Sequence, residues 1–71
     1  MRYTDDQKTE IKHQLVMWTK HGHTVKSACL LCEISEATFY NWLNKRDDFR
    51  DRIMWARTYA LMQWAQDRLK I

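Results

Sequence analysis

A single glycine and no proline in 71 residues is the strongest constraint on this chain. Tight β-turns reach their backbone angles through glycine and proline, so hairpins, sandwiches and barrels are nearly excluded. Collagen-like, mucin-like and flexible-linker sequences fall on the same ground. With 45% hydrophobic and 13% aromatic residues, the chain is also too apolar for disorder. An all-α fold is therefore expected, and the length admits one small domain over residues 1–71. Such a domain buries only ~60% of its unfolded surface, which leaves room for a partner to complete its core. No apolar run approaches the ~20 residues of a membrane span. Met1-Arg2-Tyr3-Thr4-Asp5-Asp6 lacks the apolar core of a signal peptide. A soluble, cytoplasmic domain with no membrane role is expected.

Twelve Lys and Arg against nine Asp and Glu leave a net charge of +3. That suits a polyanionic partner without demanding one. The excess is spread along the chain: +1 in residues 1–23, none in 24–34, and +1 in each of 35–46 and 47–71. No segment is a basic arm. A nucleic-acid reading must rest on architecture rather than bulk charge.

Read in order, the sequence predicts four helices. Thr4 can cap the first, with Asp5 and Asp6 at its positive end and Ile11, Leu15 and Trp18 on one face. Gly22 stands where a helix C-terminus wants a positive φ, which places helix one at about residues 5–21. Thr24 caps a short second helix from Val25 to Cys32, with Val25, Ala28 and Cys32 on one face. Ser35 caps a third, whose apolar side is Ile34, Phe39, Trp42 and Leu43 and which ends at Asn44, Lys45 and Arg46. The Lys45–Asp48 junction is the candidate hinge, and Asp47 or Asp48 caps a fourth helix over about residues 48–70. Phe49, Ile53, Ala56 and Ala60 form one stripe of that helix, and Trp55, Tyr59, Met62 and Leu69 another. Met54, Leu61 and Ala65 fall between, so the helix is apolar nearly all round from about residue 53. An all-round apolar helix is normally buried. In so small a chain the burying surface is expected to belong to a second subunit, with Trp55, Tyr59, Met62 and Trp64 at the interface.

Residues 25–42 are the informative stretch. A short helix, a three-residue turn and a second helix carry Ala28, Cys32, Ile34, Phe39 and Trp42 at the spacing that locks two helices at a steep angle. This is the helix-turn-helix layout, in which the second helix enters the DNA major groove. Ser35, Glu36, Ala37, Thr38, Tyr40, Asn41, Asn44 and Lys45 are left facing outward, types that reach base edges and phosphates. Thr38, Tyr40, Asn41 and Asn44 are the candidates for bases or adjacent phosphates, and Lys26, Lys45 and Arg46 for phosphates. Two successive helices also occur in ordinary bundles.

The run Thr24-Val25-Lys26-Ser27-Ala28-Cys29, then Ile34-Ser35-Glu36-Ala37-Thr38-Phe39-Tyr40-Asn41-Trp42-Leu43, then Asp48-Phe49-Arg50-Asp51, resembles the N-terminal domain of tailed-phage small terminase subunits. The resemblance covers roughly residues 8–65, continuing into Arg52-Ile53-Met54-Trp55-Ala56-Arg57. It implies a ring of small subunits that recognises viral DNA to initiate packaging, in the bacterial host cytoplasm, and passes it to the ATP-cleaving large subunit. Three departures stand out. Glu33 fills the turn position where the family has glycine, at roughly 1 kcal/mol for a left-handed backbone. Glu36 opens the recognition helix, where phosphates would repel it unless it accepts from a cytosine amino group. The chain stops at Ile71, short of the usual oligomerisation domain and tail, which fits a fragment, a minimal member, or a related phage regulator.

Other chemistry is weaker. Cys29 and Cys32 form a CxxC that His13, His21 or His23 could extend into a zinc site. A second CxxC is missing, no strand precedes this one, and core packing is favoured, with Cys32 at the buried position. The three histidines lack a nucleophile or paired carboxylate, though His21 and His23 could touch phosphate. Trp18 and Trp42 fit a core. The run from Arg46 to Arg52 reads as a solvated helix start in which Arg46 or Arg50 could meet a phosphate. No enzyme, cofactor or metal is expected, and the partners are double-stranded DNA, further copies of the chain and, through the resemblance, the terminase large subunit. Two alternatives stay open: a dimeric transcriptional regulator or recombination accessory protein, and a protein-interaction module or inhibitor acting through helix four.

Overall fold

Side-chain caps start the first three helices where the sequence places them. The computed structural model describes residues 3–45 and 48–69. It contains α1 (Asp5–Lys20), α2 (Val25–Leu31), α3 (Glu36–Leu43) and α4 (Phe49–Leu69), with no strand among the described residues. Thr4 Oγ1 accepts the Gln7 N–H at 3.1 Å while Gln7 Oε1 accepts the Thr4 N–H at 2.9 Å. This reciprocal box satisfies two donors that a helix start would otherwise leave open. Thr24 Oγ1 accepts the Ser27 N–H, and Ser35 Oγ the Thr38 N–H, so all three hydroxyl caps form. At the start of α4 the Asp48 carbonyl accepts the Arg52 N–H at 3.0 Å. Arg46, Asp47 and the side chain of Leu69 lie outside the described residues.

Two helix ends fall one residue short of expectation. Helix one stops at Lys20, with His21 as its C-cap, and helix two stops at Leu31, with Cys32 as its C-cap. The second difference moves a core residue. The sequence pattern places Cys32 on the buried face, but the helix has already ended there, and Cys32 is only half-buried with its Sγ 3.8 Å from Gln14 Oε1. Cys29, inside the helix beside Ala28, is the buried thiol.

The core is Leu15 from α1, Ala28 and Cys29 from α2, Ile34 from the turn, Phe39 and Trp42 from α3, and Phe49 and Ile53 from α4. Phe39 meets Phe49 edge-on, ring centroids 5.8 Å apart, and Tyr3 meets Trp42 in the same way at 5.8 Å. Edge-to-face pairs of this kind add ~0.5–1.5 kcal/mol to simple burial. Among the described residues Thr19 is the buried polar one, and its hydroxyl donates to the Leu15 carbonyl at 2.8 Å.

Helix α4 lies mainly against α1. Phe49, Ile53 and Ala56 are buried, as the spacing predicts. Beyond Ala60 the buried stripe ends, and residues 61–66 are all exposed. The result is an elongated molecule of 47 × 23 × 19 Å. No described helix is long and apolar enough to cross a membrane.

Candidate nucleic-acid interface

The α2–α3 corner is built by one small helix end. The Glu33 N–H donates to the Leu30 carbonyl at 3.2 Å and the Ile34 N–H to the Cys29 carbonyl at 3.0 Å. These are the paired bonds of a Schellman motif, which closes a helix through one left-handed residue. That residue is Glu33, at φ 58°, so the backbone expected from the missing glycine is present. Its strain is of order 1–2 kcal/mol relative to a right-handed residue. The α1–α2 turn repeats the motif: Gly22 N–H to Thr19 carbonyl at 3.0 Å, His23 N–H to Trp18 carbonyl at 3.1 Å, with Gly22 at φ 96°. Each Schellman turn is followed directly by a hydroxyl cap, Thr24 or Ser35. Between the helices Ala28 is fully buried, so the small side chain permits close approach.

With Phe39 and Trp42 turned into the core, α3 presents its other side. Ser35, Glu36, Ala37, Tyr40, Asn41, Asn44 and Lys45 are all exposed. Thr38 differs from the others. It is half-buried, and its hydroxyl sits 2.9 Å from Ser35 Oγ, so part of its hydrogen-bonding capacity serves the cap. The α3 segment Glu36–Leu43 holds no Lys or Arg, and its only charge is Glu36. Lys26 is exposed in the first turn of α2 and Lys45 follows α3, so positive charge flanks the helix instead of lying on it. Arg46 is outside the described residues, while Arg50 is exposed at the start of α4. His21 and His23 are exposed, and His23 packs edge-on to Trp18 at 5.2 Å.

The thiols are set up for packing rather than chemistry. Burial raises Cys29 above the ordinary value of 9.0, helped by the negative charge of Glu36 and, once it ionises at alkaline pH, by Cys32. Burial alone raises Cys32. Both therefore stay protonated near neutrality, and the thiolate is the reactive form. Among the described residues no group of three or more His, Cys, Asp or Glu side chains could hold a metal ion.

Two features escaped the sequence. Lys12 reaches over the Trp42 and Phe49 rings, at 5.8 and 5.6 Å, and Lys20 over Trp55 and Tyr59, at 5.6 and 4.8 Å. Lysine stems lie readily along apolar surface while the ammonium stays wet. Their eight-residue spacing along α1 was the available signal. The Lys20 contact draws two of the four expected interface residues toward the domain. Trp55 and Tyr59 stack at 5.6 Å under that ammonium, whereas Met62 and Trp64 stand further along α4. The second feature is an open cleft of ≈ 450 Å³ between α1 and the end of α2, lined by Met17, Trp18 and Leu31 among others.

A family model for the helix-turn-helix domain matches residues 12–52, which takes in most of α1, the whole α2–turn–α3 unit and the start of α4. Comparison with curated proteins and with solved structures finds no match.

Proposed function

The chain belongs to the helix-turn-helix domain family, and we propose that it is a duplex-DNA-binding module that reads the major groove with α3. The observation that carries this reading is the division of α3 itself. Phe39 and Trp42 fix one side in the core, and Glu36, Ala37, Tyr40, Asn41 and Asn44 are exposed on the other. Asn41 has the chemistry to pair with an adenine edge, and Ala37 to meet a thymine methyl. Tyr40 and Asn44 would contact bases or neighbouring phosphates, with Ser35 and Thr38 at the helix entry. Lys26, Lys45 and Arg46 would hold phosphates on either side.

The more specific role is recognition of viral DNA at the start of genome packaging. Its support is the resemblance of residues 8–65 to small terminase subunits, together with the exposed apolar side chains of Leu61 and Met62 on the outer part of α4. Met62 and Trp64, continuing from Trp55 and Tyr59, would then join copies of the chain, and the terminase large subunit would be a further partner.

Anisotropy of a labelled duplex at about 50 mM and 200 mM salt tests DNA binding. Affinity should fall steeply with salt, because each phosphate neutralised releases condensed counterions. A folded sample that binds no duplex at low salt would transfer the function to α4 and a protein partner. Sedimentation of the complex then separates the specific roles. A multi-subunit ring supports packaging, and a dimer on a palindromic site supports a regulator.

A further inference from the structure

Glu36 is the one residue of the α3 surface that works against DNA binding unless it has a purpose. It is exposed, it opens α3, and it has no ion-pair or hydrogen-bond partner among the described residues. A carboxylate here favours the helix start through the dipole, yet Ser35 and Thr38 already cap this end. The N-terminal residues of a recognition helix are the ones that reach base edges. At 3.6 residues per turn, Glu36 and Asn41 fall on opposite flanks of the exposed face, with Tyr40, Asn44 and Ala37 between them. Five residues of rise carry about 7.5 Å along the axis, or about two base-pair steps of duplex.

We propose that Glu36 determines specificity by accepting a hydrogen bond from the exocyclic amino group of a cytosine in the major groove. The proposal rests on α3 being the DNA-reading helix and adds what that helix selects. Of the four bases, cytosine shows a carboxylate a lone amino donor there. Guanine shows two acceptors, adenine sets an acceptor beside its amino group, and thymine shows an acceptor and a methyl. The carboxylate thus attracts one base and repels the acceptors of the rest. With no Lys or Arg on α3 to compensate, it also weakens attachment to random sequence. Selectivity is gained on both sides of the comparison, since discrimination is a difference of affinities.

The test is selection from a random duplex library with the full chain, as wild type, Glu36→Gln and Glu36→Ala, each checked for an unchanged thermal melt. Wild type should enrich a site with cytosine at one defined position. Glu36→Ala should lose preference there by roughly tenfold, the low end for a base contact, and leave the other positions unchanged. Glu36→Gln should move that same position toward adenine, whose N6 and N7 suit an amide. Both variants should bind random duplex more tightly. Variants that gain random affinity while keeping the wild-type preference at every position would overturn the assignment, since Glu36 would then only repel phosphate. A wild-type chain that retains no duplex would overturn the DNA-binding reading, and this assignment with it.

Discussion

Both halves of α4 carry large apolar side chains, but only the first half buries a stripe of them. Phe49, Ile53 and Ala56 are at most 3% exposed, sealed against α1 and α3. Leu61, Met62 and Trp64 are 56–67% exposed. The first half completes the core that aims α3. The second half contributes little to that core, so its apolar side chains require another explanation, and an intersubunit surface is the one proposed above. Burial separates the two halves of α4 where the presence of apolar residues does not.

Substitutions in the two halves should separate sharply. Trp42→Ala, at the floor of α3, carries the largest expected effect: a loss of ~3–5 kcal/mol in urea unfolding. A variant that stays as stable as wild type would mean that α3 is not held from behind. The next contrast is internal to α4. Ile53→Ala should cost ~2–5 kcal/mol, whereas Leu61→Ala should fall within ~0.5 kcal/mol in dilute protein. Equal losses would erase the distinction between the halves. Glu33→Gly should stabilise the protein by about 0.5–1 kcal/mol, because glycine accepts the left-handed turn with less strain. A destabilised Glu33→Gly would show that the glutamate side chain makes a contribution outweighing its backbone strain.

The smallest effect concerns the thiols. Their protonated form is favoured in the folded state, where burial raises both above 9.0. For an acid shifted upward, that stability is whole below the unfolded value and is lost as pH rises through the folded one. Unfolding measured at about pH 8 and about pH 10 should show a steeper alkaline loss in wild type than in Cys29→Ala. Identical pH profiles would mean that Cys29 is not sealed in the core.

Much of this was legible in the sequence because it depends on local chemistry. Thr4, Thr24 and Ser35 announce helix starts by their hydroxyls, and Gly22 announces a turn by its backbone freedom. The left-handed Glu33 could be placed only because its neighbours formed the rest of a known pattern. Long-range packing was harder to read. Cysteine is small and apolar at either position 29 or 32, and only the end of α2 at Leu31 decides which is buried. Tyr3 on Trp42 and Lys20 on Trp55 and Tyr59 join elements far apart in the chain, so helical spacing places each residue on a face without naming the ring it meets. The exposed face of α3 followed from the helical wheel, except at Thr38, which lies at the edge of the buried side.

Backbone amide NMR shifts during titration with a selected duplex address the division of labour most directly. Residues 35–45 should shift strongly, with Lys26 beside them, while residues 61–66 stay in place at protein concentrations that keep the chain dispersed. Shifts concentrated in residues 61–66, with α3 unmoved, would contradict the assignment of DNA reading to α3.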